Sequence, residues 1–515
     1  MKMLPFFVII PLGSAFLISL LGKKIKKSPD ILANLGALGL LALSFYSIGL
    51  VSVHKVLVYK VGGWMPPIGI CMVMDGLTSF MLVTVNLVSF LVTLYSVNYM
   101  ERYSDKYRFY TLFMLMLAGM NGIIITGDLF NLFVFLEIAS IASYALVAFG
   151  TEAEELEASF KYAVMGSVAS SFILLGIALL YSYTSTLNMA DIYLVLSQKG
   201  TGIIVNFIAI LFLAGFGLKA ALVPFHGWLA DAHSSAPAPI SAMLSGVFIK
   251  TLGIYALCRI FFNILGASAR VFSVLLILGV ISMVVGAFLA IAQRDIKRMF
   301  AYSSISQIGY IVFALGIGTP LAILGGLFHL FNHAVFKSLL FLNSGAIEYS
   351  TGTRDLKNLG GLNSRLPVTG FTSLLGSMSI AGIPPLGGFW SKLIIIIAAV
   401  QAGYLGTAVV AILVSIVTLA YYLKFLSFAF FGKLDAAWQK INPVRNTNFC
   451  EERNKISNGV KEVPGLMQFA MLVLAIICSV SGLLIAPLCK DFLPSAVNVL
   501  LLGKGYAQTV FTALK

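Results

Sequence analysis

Long apolar runs, most of them about 18 to 25 residues, recur from one end of the chain to the other with little polar material between them. About 20 apolar residues cross a bilayer as a helix. The pattern therefore predicts about fourteen membrane-spanning helices, near 3–22, 31–53, 73–100, 109–127, 129–150, 160–184, 204–223, 239–262, 271–292, 300–317, 321–346, 368–399, 404–431 and 466–489. The runs lack the alternation of polar and apolar residues that keeps the lumen of a membrane β-barrel wet, so a strand reading fails. Residues 1–22 have the length of a signal peptide, but no small-residue cleavage site precedes the basic KKIKK stretch, and the segment reads as the first helix.

Composition agrees. Of 515 residues 59% are hydrophobic and 10% charged, where soluble domains carry roughly a quarter charged residues. The only sizeable hydrophilic stretch, about Gly432 to Pro464, is too short for a catalytic domain. Cys71, Cys258, Cys450, Cys478 and Cys489 include no C-x-x-C pair, and no glycine-rich nucleotide loop sits between a strand and a helix. The chain is thus expected to hold no cofactor and no metal, and to have no redox site of its own.

The net charge of +14 is a topology signal rather than a sign of nucleic-acid binding. With the N-terminus outside, the inner loops hold the KKIKK lysines, Arg102, Lys106, Arg108, Lys161, Arg294, Lys297, Arg298, Arg354, Lys357, Arg365 and the basic residues between Lys433 and Lys461. The outer ends keep fewer: Lys2, Lys55, Lys60, Lys199, Arg259, Arg270, Lys490, Lys504 and Lys515. Both termini are expected outside.

Beyond those ends, five basic residues remain inside spans, Lys219, Lys250, Lys337, Lys392 and Lys424, and Glu137 joins them. Each costs about 2.5–3.5 kcal/mol at the bilayer centre, so their number implies a polar interior. Lys424, near a helix end, is expected to snorkel to the interface. Glu137 is the one charge in the apolar run Leu132 to Phe149. Lys219 lies between Gly215, Gly217 and Pro224, and Lys392 follows Pro384, Pro385, Gly387 and Gly388, so the seventh and twelfth helices should break close to these lysines. Broken helices at membrane depth are tolerated only beside protein or hydrated cavities. The two breaks share the pattern P-x-x-G-aromatic, at Pro224 to Trp228 and Pro385 to Phe389, five spans apart. That odd separation is the mark of an inverted repeat, here spans 4–8 and 9–13. In the eleventh span His329, His333 and Lys337 fall at i, i+4 and i+8 on one face. A hydrated proton relay, a metal site and hydrogen-bonding between helices all match this stripe; no carboxylate lies within 321–346 to favour the metal.

Five stretches in this order carry a resemblance: TGDLFNLFVFLEI (Thr126 to Ile138), KAALVPFHGWLADAHSSAPAPISAMLSG (Lys219 to Gly246), RDIKRMFAYSSISQIGY (Arg294 to Tyr310), HLFNHAVFKSLLFLNSG (His329 to Gly345) and IPPLGGFWSK (Ile383 to Lys392). Over roughly residues 70–430 the chain resembles the proton-translocating antiporter-like family, which comprises the D subunit of Mrp sodium/proton antiporters and related subunits of complex I, membrane-bound hydrogenase and sulfane reductase. The resemblance implies an all-α integral membrane fold of about fourteen helices, with two inverted five-helix repeats and broken helices 7 and 12. The corresponding divisions here are helices 1–3 (1–108), the repeats (109–262 and 271–431), an inner-side polar loop (432–465) and a final helix with its tail (466–515). It also implies roles. Glu137 and Lys219 become the pair that modulates protonation, Lys250 the central lysine, and His329, His333 and Lys337 the relay. Lys392 matches a position where some relatives have glutamate, and His226 and His233 shape proton access from the inner side. With about 25 residues after the last span the chain matches the shorter, D-like kind, without a long lateral helix.

The function expected from this resemblance is ion translocation within a multisubunit Mrp-like or hydrogenase-like complex in a prokaryotic plasma membrane. Protons would move along the Glu/Lys/His axis, and any sodium would pass through neighbouring subunits. An independent solute transporter and a non-transporting scaffold protein are the alternatives.

Overall fold

The computed structural model describes residues 3–200, 202–266, 268–432, 460–484 and 493–514. Two helices, α1 (Phe6–Leu21) and α2 (Ser28–His54), lead into an antiparallel hairpin, β1 (Leu57–Lys60) and β2 (Cys71–Met74). The chain continues through α3 (Gly76–Tyr99), α4 (Lys106–Ile125), α5 (Leu129–Val147), α6 (Ala153–Thr184), α7 (Met189–Lys199), α8 (Ile203–Lys219), α9 (Gly227–Ser235) and α10 (Ala238–Ile264). Next come α11 (Ala269–Ile291), α12 (Ile296–Ile317), α13 (Pro320–Thr351), α14 (Pro367–Ala381), α15 (Gly387–Gln401) and α16 (Leu405–Leu426). Three helices, α17 (Gly465–Leu483), α18 (Leu493–Leu501) and α19 (Lys504–Leu514), close the described chain.

Among the described residues, 11 helices are long and apolar enough to cross a membrane. The first and seventh expected spans are shorter, as Phe6–Leu21 and Ile203–Lys219. The twelfth, expected as one span over 368–399, is two 15-residue helices, α14 and α15. The proline and glycine pair at its centre ends one helix and starts the next. Most of the 432–465 loop, from 433 to 459, lies outside the described residues. Helices α7, α18 and α19 carry too little apolar length to register as spans; α19 packs against β1 and α7 at the hairpin end of the bundle.

Short polar residues begin the helices where the first turn would otherwise leave backbone N–H groups unpaired. Asp75 caps α3, Asp128 caps α5, Asp295 caps α12 and Thr319 caps α13 through the backbone N–H three residues on.

Two local structures occur twice. Gly127 accepts from the Met189 backbone at 2.9 Å while Leu129 donates to Leu187 at 2.9 Å; Arg294 accepts from Leu356 at 3.0 Å while Ile296 donates to Arg354 at 3.1 Å. In both, a threonine at the preceding helix end, Thr184 or Thr351, donates to the carbonyl two residues on at 3.1 Å, and the residue between them takes a left-handed φ, Ser185 at 59° and Gly352 at 73°. The helix breaks also match. Leu222 donates to Gly217 at 2.9 Å and Ile383 to Met378 at 3.0 Å, around the left-handed Ala221 (φ 55°) and Gly382 (φ 85°). Helices α5 and α12, and the two breaks, are each five expected crossings apart, as the inverted repeat requires.

A tight crossing joins α11 to α12, where a Cβ on Gly279, Gly286, Gly309 or Gly316 would meet the other helix's backbone nitrogen at 2.3–2.5 Å. Small residues let membrane helices approach in this way, since lipid offers no hydrophobic drive to push them together. Gly309→Ala is expected to force the pair apart and destabilise the protein by about 1–3 kcal/mol, read as a lowered melting temperature in detergent.

A buried polar axis as the candidate functional site

The axis is built on the broken helices and on α10, every residue of which is buried. Helix α10 passes through wide π-type turns at Leu244–Phe248, Lys250–Tyr255 and Arg259–Ile264, a local geometry frequent at functional sites. Lys250 stands in the middle of it, fully buried, and its ammonium folds back to the Ser245 carbonyl.

The first group is centred on α5, α6 and the end of α8. Lys219 is the last residue of α8 and donates to Ser140 Oγ at 3.0 Å and toward Tyr144 Oη at 3.4 Å. Ser140 lies one helical turn beyond Glu137, whose carboxylate accepts the Ser170 hydroxyl of α6. Glu137 is half-buried. The sequence pairs Glu137 with Lys219; in the structure the lysine is satisfied by hydroxyls on the same helix as the carboxylate, and no ion pair joins the two among the described residues.

The second group links α10, α12, α13 and α16. Ser245 Oγ lies 2.7 Å from Ser304 Oγ. The adjacent Ser303 accepts the Lys337 ammonium and is 2.8 Å from Tyr422 Oη, and Lys337 also donates to the Phe300 carbonyl at 2.6 Å. Lys250 thus bonds the carbonyl of Ser245, whose hydroxyl meets Ser304, while Lys337 bonds the neighbouring Ser303; the Ser303 and Ser304 hydroxyls both reach the Phe300 carbonyl, at 3.2 and 2.9 Å.

The third group continues along α13 to α15. The rings of His333 and His329 are 6.2 Å apart. His329 Nδ1 is 2.9 Å from Ser391 Oγ, the neighbour of Lys392 in sequence. Lys392 donates to the Ile380 carbonyl at 2.8 Å and lies 4.9 Å from the Tyr310 ring centroid. Part of its work is structural, because Ile380 lies in the last turn of α14 and its carbonyl has no continuing helix to bond. Trp228 does the same across the first break, donating to Leu218 at 3.1 Å. His329 Nε2 and both ring nitrogens of His333 are buried and meet no hydrogen-bonding partner among the described residues. Buried polar groups in this position are ordinarily paired with ordered water.

The two histidines attached to the seventh-helix motif are separated. His233 is buried between Trp228 and Phe341, with ring centroids 6.2 and 5.8 Å away. His226 is half-buried at the start of α9. Lys424 reaches the carbonyls of Ile291 and Gln293 at the end of α11, in keeping with a snorkelling lysine. Among the described residues no three His, Cys, Asp or Glu side chains gather as a metal site.

Charge counting misplaced two cations. Arg259, assigned to an outer loop, is buried and bonds Asp75 Oδ1 at 2.7 Å, Thr78 Oγ1 at 2.8 Å and Tyr255 Oη at 2.9 Å. Lys297, assigned to an inner loop, is buried and pairs with Glu348 at 3.1 Å. The signal for Arg259 was Tyr255 and Asn263 four residues to either side, which places three polar groups on one helix face. Of the serines of the axis, Ser303 and Ser304 lie in the run Tyr302 to Ser306, YSSIS, while Ser140, Ser170, Ser245 and Ser391 stand scattered along the chain.

Comparison with known proteins gives the geometry a context. The family described as NADH:quinone oxidoreductase/Mrp antiporter, TM, matches residues 126–418, and complex I chain 5 N-terminus matches residues 64–110. The D subunit of the Na(+)/H(+) antiporter of Alkalihalophilus pseudofirmus is 36% identical over 430 residues, 83% of this chain and 87% of its own length. A component of the Mrp complex from Dietzia sp. DQ12-45-1b superposes with a TM-score of 0.88 at 30% identity, covering 99% of both proteins. A component of the membrane-bound sulfane sulfur reductase, an archaeal respiratory membrane complex, gives 0.89 at 30% identity, covering 99% of this chain and 100% of that one.

The Ser245 to Ser304 contact is a direct side-chain bond between α10 and α12 on the axis. A double-mutant cycle of Ser245→Ala and Ser304→Ala is expected to give a coupling energy of about 0.5–3 kcal/mol in detergent melts, where independent serines would give additive losses.

Proposed function

The chain belongs to the NADH:quinone oxidoreductase/Mrp antiporter membrane family, and on that footing we propose that it is a D-type antiporter-like component moving protons along the axis from Glu137 to Lys392. The observation that carries this reading is the succession of buried titratable groups across the bundle, several with a hydroxyl bonded to them: Lys219 with Ser140, Lys250 on the Ser245 carbonyl, Lys337 with Ser303, then His333, His329 with Ser391, and Lys392 on the Ile380 carbonyl. In such a row an ammonium gives its proton to a hydroxyl or water oxygen, which passes another onward. The direction of transfer follows the charge at either end.

Glu137 is the control point in this reading. Its carboxylate stabilises a charged Lys219 through the polar face they share, and a shift of that charge toward another partner releases the lysine's proton into the row. Moving a proton against 100 mV takes about 2.3 kcal/mol. Since one pKa unit is worth about 1.4 kcal/mol, a swing of about two units per step suffices. No group among the described residues generates that energy, so the chain depends on sodium movement or a redox reaction elsewhere in a multisubunit complex. The arginine-rich end of the bundle, with Arg294, Arg298 and Arg354, would face the cytoplasm of a prokaryotic cell and both termini the outside. Titratable groups dominate this interior, which favours the proton over a larger solute.

Glu137→Gln is expected to reduce ion transport in reconstituted vesicles to near background while the complex purifies with its full set of subunits. Normal transport by that variant would leave only a scaffold role. Mass spectrometry of the proteins that co-purify, with an iron and nickel assay, separates an antiporter from a redox-driven assembly.

A further inference from the structure

Away from the axis, a second polar row runs along α14. Glu462, in the segment that leads into α17, reaches across to the start of α14: its carboxylate accepts the Val368 and Thr369 N–H groups at 2.9 and 3.2 Å and the Thr369 hydroxyl at 2.6 Å. Thr369, Ser373 and Ser377 then follow at four-residue intervals, all fully buried. At 1.5 Å per residue they climb about 12 Å into the bundle on one side of the helix. Beside them Thr372 donates to Asn343 Oδ1 of α13 at 3.1 Å.

One carboxylate on a helix start is a capping arrangement and would need no more explanation. The row above it does. The hydroxyls of Ser373 and Ser377 and the Asn343 amide nitrogen are buried and have no hydrogen-bonding partner among the described residues. Leaving three such groups bare in an apolar interior is unfavourable, and buried polar groups of this kind are regularly found holding water. The row also leads somewhere. Gly376 packs on Leu339 and Leu340, which sets Ser377 within about a turn of the level of Lys337 on α13. Lys337 is the lysine that Ser303 and Tyr422 hold on the axis.

We propose that Glu462, Thr369, Ser373, Ser377 and Asn343 form a hydrated access path that loads protons from the arginine-rich end onto Lys337, with Glu462 as the collecting carboxylate. The inference rests on the proton-transport reading above. Each transfer is a proton exchange between oxygens, ending on the Lys337 amine when it is neutral, and needs no co-reactant. The second half of the chain would then have its own access to the cytoplasmic side, independent of Glu137 and Lys219.

The test uses the intact complex in vesicles, with proton uptake followed from the arginine-rich side as a function of pH. Removing both hydroxyls with Ser373→Ala and Ser377→Ala is expected to slow uptake by about tenfold or more, and Ser377→Thr, which keeps the hydroxyl, to stay near the original rate. Glu462→Gln should flatten the pH dependence of uptake, while Glu462→Asp preserves it. A merely structural Glu462 would lower thermal stability in both variants alike and leave the pH profile in place, which would overturn the proposal. If the paired serine variant does not assemble, the single Ser377→Ala variant is read in the same way. Unchanged uptake in the serine variants, with Glu137→Gln inactive, sinks the access path and leaves the axis standing. An active Glu137→Gln sinks the axis and the path with it.

Discussion

A charge or an unpaired backbone group at the depth of a bilayer must be satisfied by the protein itself, and this requirement shapes the whole bundle. Lys219, Lys250, Lys337 and Lys392 have no carboxylate bonded to them among the described residues. Each is held instead by hydroxyls or carbonyls, those of Ser140, Ser245, Ser303 and Ile380 among them. Neutral partners satisfy an ammonium's donors without fixing its charge. A full ion pair, as between Arg259 and Asp75, holds its charge firmly. The chain uses both arrangements: the ion pair at the hairpin end of α10, and lysines held by hydroxyls and carbonyls through the interior.

The same requirement explains the helix breaks. Interrupting α8 and α14 frees carbonyls that no water of the membrane can reach, so something within the chain must bond them. Trp228 does so at the first break and Lys392 at the second. The breaks keep a common backbone pattern, down to the left-handed Ala221 and Gly382, while the side chains that close them differ. Lys392 is therefore bound to its place twice over, as a helix terminator and as a member of the polar row. Substitution there changes backbone support together with charge.

The repeated loop pairs at Gly127 with Met189 and at Arg294 with Leu356 extend this equivalence to the ends of the helices. Threonines at Thr184 and Thr351 close each preceding helix in the same way, although the neighbouring sequences, TSTLN and TGTRD, share only the threonines. A duplication hidden from side-chain comparison remains in the main-chain hydrogen bonds, because those bonds constrain where a strand-like turn can close and leave most side chains free.

Periodicity and charge in the sequence determined the membrane class, the apolar spans and the charges stranded inside them, since about 20 apolar residues in a row have few other destinations and an ionisable group among them stands out. Proline and glycine beside Lys219 and Lys392 likewise announced the breaks. Tertiary structure alone decided the partners. That Lys219 meets Ser140 and Tyr144 while Glu137 meets Ser170, that Ser245 meets Ser304 and Lys337 meets Ser303, and that Arg259 and Lys297 leave the loops for the interior all depend on which faces of distant helices meet. A serine or tyrosine in an apolar run is unremarkable in a linear pattern and becomes a lysine's hydrogen-bond partner only when a helix many residues away brings the lysine within about 3 Å of it.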